Sequence, residues 1–207
     1  MNSVSVSYVA GVVSAQPELP GSYISSVCGG DGGSAKATLR GIADVYLEPF
    51  LPEAIGQEAA QGRLREMDFC LLLVKHLDAI TLDSIRDLMR SLPSAATHNL
   101  HVLICRQTGE IEYKISCTKC GQKLLVRDAM AMRRARCPHC QDFFQVPGQA
   151  DLVRAELLIP SNRLVRKVML EDPASGRQAL EAIISHHSAR STAAKSSTMR
   201  LDLPLDT

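Results

Sequence analysis

Four of the seven cysteines fall into two Cys-x-x-Cys pairs, Cys117 with Cys120 and Cys137 with Cys140, separated by sixteen residues. Thiolates at such spacing converge on one ion when the chain reverses tightly between them. Two such knuckles bring four sulfurs to about 2.3 Å from a tetrahedral Zn²⁺. A single Cys-x-x-Cys is also the spacing of a thioredoxin-like redox pair, but that motif opens a helix after a strand. Two pairs point instead to metal: zinc first, with iron, an iron–sulfur cluster and unliganded thiols as the alternatives. His139 is an alternative ligand in the second knuckle that the Cys-x-x-Cys geometry disfavours. A closed four-thiolate site keeps no open coordination position, so its metal is structural rather than catalytic.

The flanks suit that role. Gly121 follows the first pair and tolerates the positive φ of a tight reversal. "KLLV" and "FFQV" are short apolar strand candidates, and a segment this short cannot bury enough surface to fold alone. Metal binding worth about 10–16 kcal/mol in small zinc domains supplies the difference. The stretch resembles the short rubredoxin-like zinc ribbons of bacterial proteins through Cys117, Cys120, Gly121, Leu124, Val126, Arg136, Cys137, Pro138, Cys140, Phe144, Val146 and Pro147. The resemblance implies zinc ligation by the four cysteines and a three-stranded ribbon over 112–147. It departs at Gln141, where the family repeats a glycine, and it names no reaction.

The same segment is basic. Residues 111–150 carry seven basic and three acidic side chains, whereas residues 1–60 carry two and six. Lys123, Arg127, Arg133, Arg134 and Arg136, with Lys119, form a candidate partner-binding face. A protein is the expected partner, with nucleic acid as the alternative. For stacking on a base there are Tyr113, Phe143 and Phe144, and both phenylalanines are expected in the ribbon's own core.

The surrounding elements must hold this module in place. Over the 207 residues, 23 basic and 22 acidic side chains nearly cancel, and with no Trp the core rests on aliphatic residues. No apolar run reaches the roughly 18 residues of a membrane span. The N-terminus lacks the basic start of a signal peptide, and an odd number of cysteines in a chain this long suits a reducing compartment; the expected location is the cytoplasm. "DFCLLLVKH" reads as a strand buried on both faces, "TLDSIRDLMRSL" as an amphipathic helix and "NLHVLICRQ" as a second buried strand, together a βαβ unit. "SAKATLRGIADVYLEPF" has helix-like spacing, a further helix runs over about 53–65, and "SGRQALEAIISHH" predicts a helix over about 175–186 with His186 and His187 at its end.

The fold class that follows is α/β: a small βαβ-containing, flavodoxin- or receiver-like layer with an inserted β zinc ribbon. The expected division is a weakly ordered lead over 1–33, the α/β domain over 34–111 and 148–187, the ribbon over 112–147, and a disordered tail over 188–207. "SSVCGGDGGSAKAT" lies after a possible strand, "SYISSV", yet has no Gly-Lys-Ser/Thr and reads as a linker. Lys75 and His76 stand where a receiver would need its aspartate. Cys70 and Cys105 are expected in the core, Cys28 at the surface. No Ser/His/Asp, Cys/His or paired-carboxylate arrangement stands out. The expected role is a zinc-binding adaptor or regulatory protein. The alternatives are a nucleic-acid-binding regulator and an enzyme, or enzyme accessory subunit, with its site at the strand ends near 75–81 and 106–110. The sequence sets no oligomeric state.

Overall fold

A computed structural model describes residues 6–39, 43–75, 79–107 and 112–198. The expectations placed on His76, on most of 106–110 and on the last residues of the tail lie outside them. The fold is mixed α/β. Strand β1 (Val6–Ser14) leads to helix α1 (Glu18–Cys28), the strands β2 (Ala35–Leu39) and β3 (Ala43–Phe50), and helix α2 (Glu58–Glu66). Then come β4 (Phe69–Val74), α3 (Ala79–Ser91), a short α4 (Ser94–His98) and β5 (Leu100–Arg106). These strands and a later one, β10 (Val165–Met169), form one sheet in the order β10-β5-β4-β1-β3-β2, parallel except for the antiparallel edge strand β2.

The βαβ unit read from the sequence is present, with β4 and β5 adjacent and parallel. The alternation along β4 explains its continuous apolar run. Phe69, Leu71 and Leu73 pack with Tyr23, Ile24 and Val27 of α1 on one face. Cys70, Leu72 and Val74 pack with Leu64, Ile85 and Leu88 on the other. A strand covered on both sides needs no polar face.

Several expectations are corrected. The weakly ordered lead contains the central strand: β1 pairs with β3 on one side and β4 on the other. Serine is compatible with this buried strand because Ser14 donates to the Leu73 carbonyl at 3.1 Å. Gly11, midway along β1, sits in a tight fit, since a Cβ there would lie 3.1 Å from Leu64 Cδ2 and 3.3 Å from Cys70 Sγ and those side chains would have to give way. "SYISSV" is helical, within α1. The segment 34–50 forms β2 and β3 instead of a helix; Ala37, Leu39, Ala43, Val45 and Leu47 are buried at every second position, the period of a strand. Cys28 is half-buried at the end of α1.

After β5 the chain builds two antiparallel hairpins. The first pairs β6 (Glu112–Ser116) with β7 (Lys123–Arg127), and the second pairs β8 (Arg134–Arg136) with β9 (Phe143–Gln145). Helix α5 (Gln149–Glu156) then leads back to β10. Adjacent residues of α5 face two cores: Leu152 packs on the hairpins, Val153 on the sheet. Lys167 of β10 also forms an ion pair with Asp128, just after β7. The last helix, α6 (Pro173–Thr198), runs past the expected end near 186 and takes in the first part of the expected disordered tail. His186 and His187 therefore lie within α6, edge-on to His101 and to Tyr8 respectively.

Candidate metal centre and its basic face

The two hairpins repeat one construction. In the first, Cys117 N–H donates to the Gln122 carbonyl at 2.9 Å and Gly121 N–H to the Cys117 carbonyl at 2.9 Å. In the second, Cys137 N–H donates to the Asp142 carbonyl at 2.9 Å and Gln141 N–H to the Cys137 carbonyl at 3.0 Å. The register matches as well, with Ser116 opposite Lys123 and Arg136 opposite Phe143. Each reversal turns on a positive φ, +73° at Gly121 and +64° at Gln141. The glycine missing at 141 is thus replaced by a strained glutamine whose Nε2 donates to the Pro138 carbonyl at 2.9 Å.

These turns aim four sulfurs at one point. Cys117 Sγ lies 3.8 Å from Cys140 Sγ, Cys120 Sγ lies 3.8 Å from Cys137 Sγ, and all four sulfurs lie within 4.8 Å of one another. An ion held tetrahedrally at about 2.3 Å from each sulfur sets them about 3.8 Å apart, so the arrangement fits a four-coordinate metal. Cys117 and Cys137 are buried, Cys140 is intermediate and Cys120 exposed. The backbone N–H groups of Cys120 and Lys119 hold the Cys117 thiol down at about 7. At Cys140 the Asp142 N–H favours the thiolate, but loss of water and the three neighbouring sulfurs override it and push the thiol up to about 12. Four thiolates this close repel one another, and a divalent cation relieves that repulsion.

Around the sulfurs sits a small core of Tyr113, Ile115, Val126, Phe144 and Val146. The basic residues singled out from sequence are spread over both hairpins. Arg127 stands at the far end of β7 and faces Glu112 across the hairpin at 3.8 Å. Lys123 is beside the first knuckle, and Arg133 is exposed just before β8. Arg134 and Arg136 come together: their guanidinium carbons lie 4.5 and 5.7 Å from the centre of the Phe143 ring. Arg136 Nε also donates to the Gln141 carbonyl at 2.8 Å.

Phe143 corrects an expectation, because it is 54 % exposed while Phe144 is buried. The signal was available: adjacent residues on a strand point to opposite faces, so only one of the pair can enter a core. Tyr113 offers no stacking surface either, being buried with its hydroxyl donating to the Pro147 carbonyl at 2.7 Å.

The strand ends, considered for an enzymatic site, look different. Ser14 Oγ accepts the Gln16 N–H at 3.0 Å, and α1 opens on Pro17 and Glu18. A proline with no N–H and a carboxylate in the first turn disfavour an anion there. Cys70 and Cys105 are buried thiols, each pushed up by burial to about 12.

The fold and this site define an α/β protein carrying a four-cysteine module able to hold a metal ion. No protein-family model matches the chain, and no curated protein matches it. Among solved structures, a crystal structure of a mutation variant of SsGBP is similar with a TM-score of 0.49 at 12 % identity, over 86 % of this chain and 55 % of that one. The present chain thus spans about half the length of that protein. No described helix is long and apolar enough to cross a membrane.

Proposed function

We infer that the chain is a zinc-binding adaptor or regulatory protein, in which a structural zinc ribbon inserted into an α/β layer presents a basic surface to a protein partner. The observation that carries this reading is the set of four sulfurs within 4.8 Å of one another, in a module that also exposes an Arg134–Phe143–Arg136 cluster. All-thiolate coordination favours zinc among the abundant divalent ions, and a closed site gives the metal an architectural task. The layer is read as flavodoxin-like because its five parallel strands, numbered among themselves, follow the order 2-1-3-4-5 once the antiparallel edge strand is set aside.

The test is metal content and partner capture on one preparation. Protein purified without chelators should hold about one zinc per chain, and capture from a lysate of the source should be lost in Cys137→Ser and in Arg134→Ala/Arg136→Ala. Substoichiometric zinc, or capture indifferent to both variants, overturns the reading. One observation favours a second reading: arginines stacked on an exposed ring are also how single-stranded nucleic acid is held. Retention on oligonucleotides that falls steeply with salt and is lost in the same double variant would select it.

A further inference from the structure

Four consecutive residues of β7, Lys123, Leu124, Leu125 and Val126, line one open groove of about 600 Å³. Side chains on a strand alternate between its faces, so a wall made of four in succession is the strand's edge. Among the described residues β7 pairs with β6 alone, which leaves this edge turned to the groove. Arg136 of β8 stands on the opposite wall, and the buried Phe144 ring contributes apolar surface between them. Lys123 and Arg136 are cationic, and none of the described lining residues is acidic.

From these features we propose that the groove between β7 and β8 takes an extended acidic peptide of a partner protein, added as a strand to the edge of β7. The proposal rests on the reading of the module as a protein-binding surface and names the partner's chemistry. A strand edge recognises another backbone through alternate N–H and C=O groups, while side chains at every second position enter pockets. Here one set of alternate positions meets Leu124 and Phe144, which suit leucine-type side chains, and the other set carries carboxylates to Lys123 and Arg136. Charge complementarity fixes the sign of the peptide. Nucleic acid fits the groove less well, since the Phe144 ring, 7 % exposed, offers no open face for a base and His139 is the one other aromatic ring among the described lining residues.

The test uses the zinc-loaded full chain and a fluorescein-labelled peptide of alternating leucine and aspartate, followed by fluorescence anisotropy. Comparators are the same peptide with lysine for aspartate, the aspartate peptide N-methylated at alternate amides, and an oligothymidylate. The aspartate peptide should bind about tenfold or more tighter than either altered peptide. Compared at equal zinc loading, Lys123→Glu/Arg136→Glu should weaken it by a similar factor, while Arg90→Glu, on α3, should leave it within about twofold. Equal binding of both peptide charges, indifference to N-methylation, displacement by the oligothymidylate, or no binding of any peptide overturns the proposal. If a protein is still captured through Arg134 and Arg136 while every peptide fails, the occupant of the groove is wrong and the adaptor reading stands.

Discussion

Cysteine has opposite chemistry in the two regions of this molecule. In the α/β layer, Cys70 and Cys105 sit on β4 and β5 as small apolar groups, both fully buried and both held neutral by burial. In the module, Cys117, Cys120, Cys137 and Cys140 stand on reversals rich in backbone N–H groups, within reach of one ion. The difference follows from how much apolar surface each region can remove from water. The layer covers both faces of its sheet with helices. The hairpins bury only a handful of side chains, supplemented by Leu152 of α5. A sheet with two cores has no need of a metal; a pair of hairpins with one small core has little else to stabilise it, and its four cysteines could hold one.

The largest effect expected from this contrast is the separate loss of the module. Chelation or Cys137→Ser should remove the metal, whose binding in comparable small domains is worth about 10–16 kcal/mol. Limited proteolysis should then cut within 112–147, while the layer keeps its far-ultraviolet circular dichroism and a cooperative melt. Loss of the whole fold on chelation would break the comparison. It would mean that α5, with Leu152 on one core and Val153 on the other, couples the two regions into one cooperative unit.

The reciprocal variant is Leu72→Ala. Leu72 is fully buried on the face of β4 that meets α2 and α3, and removing such a side chain costs about 2–5 kcal/mol. Denaturant melts should show that loss, with zinc content unchanged. A fall in zinc content would show that the module takes its geometry from the layer.

The two regions also differed in how openly the sequence displayed them. The cysteine cluster was legible because metal coordination would fix residue type and spacing together, and the four cysteines lie close to one another. The strands β4 and β5 were legible because burial on both faces leaves an unbroken apolar run. The rest of the sheet was obscured by residues chosen for neighbours that cannot be seen along the chain. Gly11 on β1 answers to Leu64 and Cys70, and Ser14 answers to the Leu73 carbonyl. Alanines at 35, 37 and 43 fit helix and strand alike, so only pairing decided between them. The Arg134–Phe143–Arg136 cluster depended on which of two adjacent phenylalanines turned outward, a matter of register.

The third expected effect separates the regions by pH. Burial raises the Cys70 and Cys105 thiols to about 12 from an ordinary value of 9.0. A raised thiol stabilises the fold while it stays neutral, so the layer should lose stability as pH climbs from about 9 towards 12, where the unfolded chain ionises and the native one does not. Cys70→Ala/Cys105→Ala should lessen that alkaline loss, leaving the part due to the Tyr23 phenol, which burial also raises. The module should respond in the opposite direction, because its ligands must be thiolates and protons compete with the metal as pH falls. Zinc release measured with a chromophoric chelator should therefore rise on acidification while the melt of the layer holds. Coincident transitions at either end of the range would count against two separately stabilised regions.

The smallest effects compare the knuckles with each other. Gly121 and Gln141 occupy equivalent turns at φ +73° and +64°, a region that costs a residue with a side chain roughly 1–2 kcal/mol. Nothing lies within 4 Å of a Cβ added at Gly121, so Gly121→Ala introduces backbone strain without a clash. Zinc affinity measured by chelator competition should weaken about fivefold, the equivalent of about 1 kcal/mol. Gln141→Gly works against itself: it relieves strain, but removes the hydrogen bond to the Pro138 carbonyl and loosens the unfolded chain. Those contributions are of similar size, so affinity should stay within about twofold. A gain as large as the loss in Gly121→Ala would mean that the glutamine side chain contributes nothing to its turn. An unchanged affinity would instead show how a knuckle keeps its shape without the second glycine: the amide of Gln141 closes the turn that its φ opposes.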